Sequence, residues 1–319
     1  MTDGTVSPVP PLLVFAICTR DRPVLLAECL RSILKARATD RLRLAVIVVE
    51  NAAREGCANI VAGIAADAPF PLRHVLHTDL GIPQARNRSV EEALAIGADW
   101  IAFIDDDETL AEDWLIEAAH LIEGEEGDVH VGPVFARHDG PRPVWLGREK
   151  VHFGADGEMI DWAATNNAIA KRRVFTEAAM WFDPALRFTG SEDKEFFSRV
   201  ARSGATIRWS DAIRVYEWWP AVRLRPAWHL RRRYWTILHY ARSEVASGKR
   251  GVRIRMLRTG LGFLISALPL LVAGVIAFPF ARGRRVLFRG AVKLAEAAGH
   301  VGGLLGLTFE PYRRIEPER

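Results

Sequence analysis

Residues 101–108 read Ile-Ala-Phe-Ile-Asp-Asp-Asp-Glu, an apolar run that ends in three adjacent aspartates and a glutamate. The apolar part has the composition of a strand that is buried on both faces. Adjacent aspartates repel one another, so their gathering in one loop indicates a cation or a cationic ligand. Carboxylate oxygens are the ligands that Mg²⁺ and Mn²⁺ prefer, and these ions commonly share their site with a phosphate. The alternative is a solvated acidic turn in which Asp107 caps a helix over residues 108–119.

Strands and helices are predicted to alternate around this run. Continuous apolar runs predict strands at residues 12–18, 42–50, 72–77 and 100–104. Periodic apolar positions predict helices at residues 23–36, 58–66 and 83–96. Strands that are apolar throughout and separated by helices favour a mostly parallel sheet with helices on both faces, which is an α/β fold.

The pattern after residue 128 is less regular. Further strands are predicted at residues 129–136, 166–170, 206–209 and 213–216. Helices are predicted at residues 171–179 and 193–203. These boundaries divide the chain into an N-terminal tail (1–11), an α/β domain (12–220) and a C-terminal region (221–319).

Polar clusters follow the first four predicted strands. They are Thr19-Arg20-Asp21, Glu50-Asn51, the segment Gly-Ile-Pro-Gln-Ala-Arg-Asn-Arg at 81–88, and the acidic run from Asp105. The carboxyl ends of parallel strands meet at one edge of a sheet, and open α/β sheets bind ligands there. We therefore expect a nucleotide-sized site at that edge.

The charge of the chain is divided between its two main parts. Residues 1–220 carry 24 Lys and Arg against 34 Asp and Glu, whereas residues 221–319 carry 19 against 5. The two net charges, −10 and +14, give the +4 of the whole chain. A basic region beside an acidic domain indicates an anionic partner for the basic region.

The C-terminal region contains an apolar segment, residues 259–281, with no charge over 23 positions. This length can cross a hydrocarbon core of about 30 Å, although a buried helix of a soluble core is an alternative. Flanking arginines favour anionic membrane lipid as the partner and argue against nucleic acid. Arginines on both sides give no positive-inside bias, and Pro269 and Pro279 also interrupt the segment. A re-entrant or in-plane insertion would keep both arginine clusters cytoplasmic and is favoured over a full crossing. Residues 286–309 are predicted to form an interfacial amphipathic helix.

Six motifs, in their order along the chain, resemble those of the family 2 glycosyltransferases. They are CTRDRP (18–23), VVENA (48–52), GIPQARNRSVEEAL (81–94), IAFIDDDE (101–108), TNNAIAKRRVF (165–175) and GSEDKEFFSRV (190–200). The resemblance implies a GT-A fold, in which a Rossmann-like, mostly parallel sheet flanked by helices binds a nucleotide-diphospho-sugar. The C-terminal region further resembles that of bacterial membrane-attached sugar transferases of the succinoglycan type.

The resemblance implies that the first three motifs bind the nucleotide of a UDP-sugar donor. Thr19 and Arg20 would border the nucleotide, and Glu50 would accept a hydrogen bond from the N–H of the uracil ring. Arg86 would lie near the base or the diphosphate, where a guanidinium suits phosphate oxygens. The alternatives are that Glu50 only ends its strand and that Arg86 is a solvated helix residue.

The acidic run is implied to bind the rest of the donor. Asp105 would hold ribose hydroxyls, and Asp106 would contact the ribose or only shape the loop. Asp107 would coordinate Mg²⁺ or Mn²⁺ between the two phosphates. Many relatives have a histidine after the strand that follows the catalytic helix, where this chain has Glu217. Glu217 is a candidate metal ligand in place of that histidine.

The resemblance also implies that Asp193 is the catalytic base, with Glu192 beside it, at the start of a helix. In an inverting transfer, a carboxylate removes the acceptor hydroxyl proton while the hydroxyl oxygen attacks the anomeric carbon. The positive end of a helix dipole keeps such a carboxylate ionised. A helix cap shared with Ser191 is the alternative, and the two roles are compatible.

These features predict an inverting, metal-dependent hexosyltransferase on the cytoplasmic face of a bacterial inner membrane. It would transfer one sugar, glucose from UDP-glucose, to a polyprenyl-diphosphate-linked glycan. Residues 231–235 lack the Gln-x-x-Arg-Trp signature of processive synthases, which favours single additions. The alternatives are a nucleotidyltransferase acting on sugar phosphates, whose glycine-rich phosphate loop is missing, and a non-catalytic membrane-anchored sugar-binding protein.

Overall fold

The computed structural model describes residues 9–124, 126–147, 154–177, 180–246 and 248–310. The strands are β1 (Leu12–Thr19), β2 (Arg43–Glu50), β3 (Leu72–Leu76), β4 (Trp100–Phe103), β5 (Glu108–Leu110), β6 (Val129–Val131), β7 (Val134–Arg137), β8 (Met159–Ile160), β9 (Ala168–Lys171), β10 (Ile207–Trp209) and β11 (Val215–Trp218). The helices are α1 (Pro23–Lys35), α2 (Ala58–Ala65), α3 (Ile82–Ala95), α4 (Trp114–Glu123), α5 (Arg173–Thr176), α6 (Glu192–Arg202), α7 (Pro226–Ala246), α8 (Val252–Ile276) and α9 (Ala281–Leu304).

An eight-stranded sheet of order β3-β2-β1-β4-β9-β6-β10-β8 forms the centre of the fold. The strands β3, β2, β1 and β4 are parallel, whereas β9 runs antiparallel to both of its neighbours. Pairing sets Thr19 beside Glu50, and Phe103 beside Ala16. The chain therefore leaves β1, β2 and β4 at one edge of the sheet, and the predicted mostly parallel α/β architecture is confirmed.

The buried strands pack against helices on both faces of the sheet. Side chains of β1 alternate between the two faces: Phe15 and Ile17 join a core with α1, α2 and α4. Val14 and Ala16 join a second core with α3, α5 and α6. Because both faces are covered, β1 is apolar throughout rather than at alternate positions.

A second sheet of three strands, β5-β11-β7, differs from the sequence-based prediction. The predicted helix 108–119 is wrong at its start, since Glu108 begins β5 and lies opposite Glu217 of β11. The helix α4 begins only at Trp114, so Asp107 does not cap it. The predicted strand 129–136 is also split at Gly132-Pro133, because the backbone of Gly132 lies against the Ile213 carbonyl and proline lacks an N–H.

The C-terminal region consists of the three helices α7, α8 and α9. A Cβ on Gly274 of α8 would lie 2.4 Å from the Leu287 backbone nitrogen, and one on Gly303 of α9 would lie 2.6 Å from Ala241 of α7. Glycine at these positions lets α9 pack closely against both of the other helices. The predicted interruption at Pro269 is wrong, because this proline lies inside α8 without ending it, whereas Pro279 lies in the turn between α8 and α9.

The described residues include one helix, α8, that is long and apolar enough to cross a membrane by length and composition. Several of its large apolar side chains are exposed; they are Leu257, Leu261, Leu264, Ile265, Leu268, Val272 and Val275. This pattern is compatible with membrane association. Whether the segment crosses the membrane or re-enters it stays a prediction.

Candidate active site

One cavity of about 1190 Å³ opens at the carboxyl edge of the parallel strands. All of the predicted site residues except Glu50 line it; they are Thr19, Arg20, Arg86, Asp105, Asp106, Asp107, Glu192, Asp193 and Glu217. The fold thus brings side chains that are nearly 200 positions apart to one site, which is large enough for a ligand of nucleotide-sugar size.

Asp106 joins the ends of β1 and β4. Its carboxylate accepts a hydrogen bond from the Thr19 hydroxyl (2.7 Å) and another from the Arg22 guanidinium (3.1 Å). Only 5% of Asp106 is exposed, and both of its oxygens have protein partners. This geometry supports the prediction that Asp106 shapes the loop rather than the prediction that it contacts ribose.

Arg223 links Asp107 to Glu217. Its guanidinium lies 3.1 Å from the Asp107 carboxylate and also forms an ion pair with Glu217. Trp219 donates a second hydrogen bond to Glu217, at 2.8 Å. Burial and the charge of Glu217 raise the pKa of the Asp107 carboxyl to about 8, although Arg223 opposes the shift. The acidic run therefore needs positive charge beside it to stay ionised near neutral pH.

The carboxylate oxygens of Asp107 and Glu217 suit a divalent metal ion that binds together with phosphate. Among the residues that the structure describes, no three histidine, cysteine, aspartate or glutamate side chains are grouped as a complete metal site. Asp107 and Glu217 nevertheless present carboxylate oxygens to the cavity. Magnesium-type sites commonly use one or two carboxylates and take their other ligands from phosphate and water. An ion bound between the two carboxylates would displace the guanidinium of Arg223.

Arg86 connects the acidic run to the start of α6. It forms an ion pair with Glu192 and lies 3.7 Å from Asp105. Burial disfavours its charge, but Glu192 and Asp105 outweigh that effect and raise the pKa of the Arg86 guanidinium above its usual range. The alternative of a solvated helix arginine is wrong, since only 10% of its side chain is exposed.

Glu192 and Asp193 differ in environment although they are adjacent. Glu192 is 4% exposed and committed to Arg86, and burial raises the pKa of its carboxyl. Asp193 is half-buried on the cavity wall, where it accepts a hydrogen bond from the Lys194 backbone N–H at 2.7 Å. The alternative of a helix cap shared with Ser191 is wrong, because the Ser191 backbone is left-handed (φ 68°) and its hydroxyl makes no capping bond.

Glu50 lies outside the cavity, with no exposed surface. Its carboxylate accepts hydrogen bonds from the backbone N–H groups of Gly56 and Cys57, and it lies 2.8 Å from the His74 ring. Burial favours the neutral acid, but these bonds outweigh it and lower the pKa of Glu50. This network would have to open before Glu50 could accept a hydrogen bond from a uracil ring. The contact between Glu50 and uracil therefore stays a prediction.

Three residues of the site were given no individual role from the sequence, although Asn51 stands in the predicted polar cluster Glu50-Asn51. Arg22 belongs to the CTRDRP motif, and its position before Pro23 in that motif is the sequence feature that could have indicated a site residue. Asn51 lines the cavity and accepts a hydrogen bond from the Gly81 N–H at 2.7 Å, which fixes the start of α3. Arg223 has no motif of its own, because only the fold brings it to Asp107.

The cavity continues away from the strand ends toward α7 and α9. An aromatic group lines this part and consists of Trp145, Trp219, Trp228, His229 and Phe288. Trp145 packs on Phe288 with ring centroids 4.5 Å apart. The C-terminal helices therefore complete one wall of the site.

A Rossmann-like sheet with an acidic loop after β4 and an acidic helix start facing it is the architecture of a GT-A glycosyltransferase. The family model "Glycosyl transferase family 2" matches residues 14–182, and "Glycosyl transferase family group 2" matches residues 100–295. The chain belongs to the family 2 glycosyltransferases and is an enzyme of that class, as the motifs predicted.

Similar proteins cover nearly the whole chain. The succinoglycan biosynthesis protein ExoM of Rhizobium meliloti (strain 1021) is 32% identical over 298 residues, which are 91% of this chain and 92% of ExoM. The mannosyltransferase PcManGT from Pyrobaculum calidifontis, in complex with GDP-Man and Mn²⁺, has a TM-score of 0.60 at 17% identity and covers 92% of this chain and 87% of that one. S. aureus TarS 1–349 in complex with UDP-GlcNAc has a TM-score of 0.54 at 14% identity, with 89% and 90% covered. The two structural likenesses show the fold alone.

Proposed function

We propose that this glycosyltransferase is an inverting, metal-dependent enzyme of exopolysaccharide synthesis that moves one hexose from a nucleotide sugar to a lipid-linked glycan. The observation that carries the proposal is that Asp107 and Asp193 face one cavity. Arg223 pairs with Asp107, and Arg86 pairs with Glu192, the residue before Asp193. The name of the relative ExoM supports exopolysaccharide synthesis as the setting.

The donor is proposed to be UDP-glucose, bound with its diphosphate at Asp107. Arg22 and Arg223 lie within 3.6 Å and 3.1 Å of that carboxylate and can turn their guanidinium groups to phosphate oxygens. Asp105, with 43% of its side chain exposed, is free to accept hydrogen bonds from ribose hydroxyls. Thr19 and Arg20 border the same end of the cavity.

Mg²⁺ or Mn²⁺ is the proposed cofactor, held by Asp107 with Glu217 as its second protein ligand. When bound, a divalent ion supplies positive charge that stabilises the departing nucleotide diphosphate. Mn²⁺ in the PcManGT complex supports this assignment.

Asp193 is proposed to remove the proton of the acceptor hydroxyl while that oxygen attacks the anomeric carbon. Attack from the face opposite the leaving diphosphate inverts the anomeric centre. Glu192 is tied to Arg86, so its proposed part is to position the start of α6 rather than to take the proton.

The acceptor is proposed to be a polyprenyl-diphosphate-linked glycan at the cytoplasmic face of a bacterial inner membrane. The exposed apolar side chains of α8 and the arginines that flank this helix support attachment to anionic lipid. A non-catalytic sugar-binding protein would not need both Asp107 and Asp193 on the cavity wall.

The proposal is tested by release of UDP from UDP-glucose. Purified protein, Mn²⁺ and a bacterial membrane extract should together release UDP and label a lipid fraction, and omission of any one should stop both. A parallel screen of nucleotide sugars for thermal stabilisation identifies the donor. UDP-glucose that neither stabilises the protein nor turns over would contradict the proposed donor.

A further inference from the structure

The cavity is divided in charge along its length. The carboxylates that line it all belong to the strand-end part; they are Asp105, Asp106, Asp107, Glu192, Asp193 and Glu217. The part formed by α7, α9 and the turn at 142–147 has five cations; they are Arg142, Arg232, Arg285, Arg289 and Lys293. No carboxylate among the described lining residues belongs to this second part, which we call the basic end. Its charge suits an anionic group.

Aromatic side chains join the basic end to the catalytic end. Trp219 donates to Glu217, and its ring lies 5.7 Å from that of His229. His229 in turn lies 6.2 Å from Phe288 of α9. One layer of aromatic rings therefore separates a ligand at the basic end from the proposed metal ligands Asp107 and Glu217.

Two arginines of the basic end are positioned to bind phosphate oxygens. The Arg232 guanidinium lies 5.1 Å from the centroid of the Trp228 ring, and among the described residues it has no ion pair with a carboxylate. Arg289 lies on the cavity-facing side of α9 and has no ion pair with any carboxylate among the described residues. By contrast, Arg285 donates to the Val144 carbonyl at 2.9 Å and Lys293 pairs with Glu296.

The basic end also meets the helix that can lie in a membrane. Leu270 of α8 and Val292 of α9 line the cavity beside Arg289 and Lys293. Beyond this contact, α8 exposes Leu268 and Val272 on its outer surface. An amphiphile could therefore place its anionic group among the arginines and its hydrocarbon chain along α8.

We propose that the basic end is the binding site for the diphosphate group of a prenyl-diphosphate lipid, with Arg232 and Arg289 as its principal ligands. The inference rests on the proposed function, because it assigns a place to the lipid-linked acceptor. The donor diphosphate would have its own cations, Arg22 and Arg223, beside Asp107. Trp228 lies between the two sets, with Arg223 5.6 Å and Arg232 5.1 Å from its ring centroid, so the two sets would hold two phosphorylated substrates next to each other.

The test uses the full chain in detergent with farnesyl diphosphate as the probe. Binding is followed by intrinsic tryptophan fluorescence, to which Trp145, Trp219 and Trp228 at the site contribute, and by thermal stabilisation. Arg289→Gln and Arg232→Gln should each weaken binding about tenfold, as expected for the loss of a charge-assisted hydrogen bond. Arg284→Gln is the matched control, since Arg284 is an exposed arginine of α9 outside the cavity and should leave the affinity unchanged.

Three further ligands distinguish the source of the anionic group. Farnesol should bind at least about tenfold more weakly than farnesyl diphosphate, and phosphatidylglycerol vesicles should bind all three variants alike. Equal losses in Arg289→Gln and Arg284→Gln would overturn the site, as would displacement of farnesyl diphosphate by UDP. If the arginine variants bound only the phosphatidylglycerol vesicles more weakly, the two arginines would be a general membrane contact, and this result would also overturn the proposed site.

The outcome is separable from that for the proposed function. UDP-glucose binding is measured on the same proteins and should be equal in the wild type and in Arg289→Gln. If the wild type binds no nucleotide sugar but retains the arginine-dependent binding of farnesyl diphosphate, the proposed function fails and the lipid-phosphate site stands. If it binds UDP-glucose but farnesyl diphosphate shows no dependence on the two arginines, the site fails alone.

Discussion

The Arg223 guanidinium lies 3.1 Å from the Asp107 carboxylate and forms a second ion pair with Glu217. Arg223 belongs to the short turn 221–224 that leads into α7, so the C-terminal region supplies the counter-charge of the acidic run. The same guanidinium can serve the leaving diphosphate once a metal ion takes its place between the two carboxylates. This relationship couples the C-terminal region to the proposed donor site.

Substitution of Arg223 should therefore weaken the binding of the nucleotide-sugar donor. We expect Arg223→Gln to raise the KM for the nucleotide sugar about tenfold, because a charge-assisted contact to phosphate is lost. Steady-state kinetics at saturating acceptor measure the effect. Arg225→Gln is the control, since Arg225 is exposed and lies outside the cavity, and an equal rise in KM there would contradict the assignment.

Removal of divalent metal should stop transfer, since Asp107 and Glu217 provide carboxylate ligands but no replacement for the charge of the ion. EDTA should reduce UDP release to background, and Mn²⁺ or Mg²⁺ should restore it. Asp107→Asn should need at least about tenfold more Mn²⁺ for half-maximal rate, because a neutral amide is a weaker ligand than a carboxylate. Full activity in EDTA would contradict the metal assignment of Asp107.

His130 predicts how stability depends on pH. It lies in β6 with 2% of its surface exposed, 5.8 Å from the Trp100 ring. Burial lowers the pKa of its imidazole to about 4, with smaller contributions from Lys171 and Arg208. The unfolded chain protonates this imidazole at a higher pH than the folded one does. The free energy of unfolding should therefore fall as the pH drops from 6.5 to about 4.

The expected loss is on the order of 2 kcal/mol between about pH 7 and pH 5. His130→Phe keeps an aromatic ring beside Trp100 and should remove this part of the pH dependence. Urea unfolding at the two pH values provides the measurement. An unchanged pH dependence in the variant would show that His130 is not the responsible group.

The packing of α8 on α9 can be tested with two glycines of α8. A Cβ on Gly274 would lie 2.4 Å from the Leu287 backbone nitrogen, whereas one on Gly262 would meet no atom within 4 Å. Gly274→Ala should destabilise the protein by about 1–3 kcal/mol through overpacking. Gly262→Ala should leave stability equal or higher by about 1 kcal/mol, because alanine favours helix. Thermal unfolding in detergent compares the two, and equal shifts would contradict the α8–α9 contact.

The sequence was sufficient for the parts of the fold that depend on local pattern. The strands β1 to β4 and the helices between them follow from apolar runs and their period, and the convergence of strand ends follows from parallel pairing. This is why Thr19, Arg86 and Asp105 could be predicted to meet. Asp193 could be added only through the resemblance of its motif.

The other parts of the fold and site depend on contacts between residues far apart in the sequence, which local patterns do not predict. Glu108 forms a strand only because Glu217 lies opposite it, 109 positions later, so local periodicity favoured a helix there. The burial of Glu50 depends on Gly56 and on His74 of the neighbouring strand. Arg223 reaches Asp107 across 116 positions, and no spacing rule connects them.

We propose above all a division of roles in which Asp193 is the base and the acidic run binds the donor. It is tested most directly by Asp193→Asn, with Glu195→Gln on the outer side of α6 as the control. Thermal stabilisation by UDP-glucose and Mn²⁺ should be equal in the wild type and both variants. Transfer of labelled glucose to the membrane lipid fraction should fall at least about 100-fold in Asp193→Asn and stay near the wild-type rate in Glu195→Gln. Transfer by Asp193→Asn at the rate of the wild type would contradict the claim.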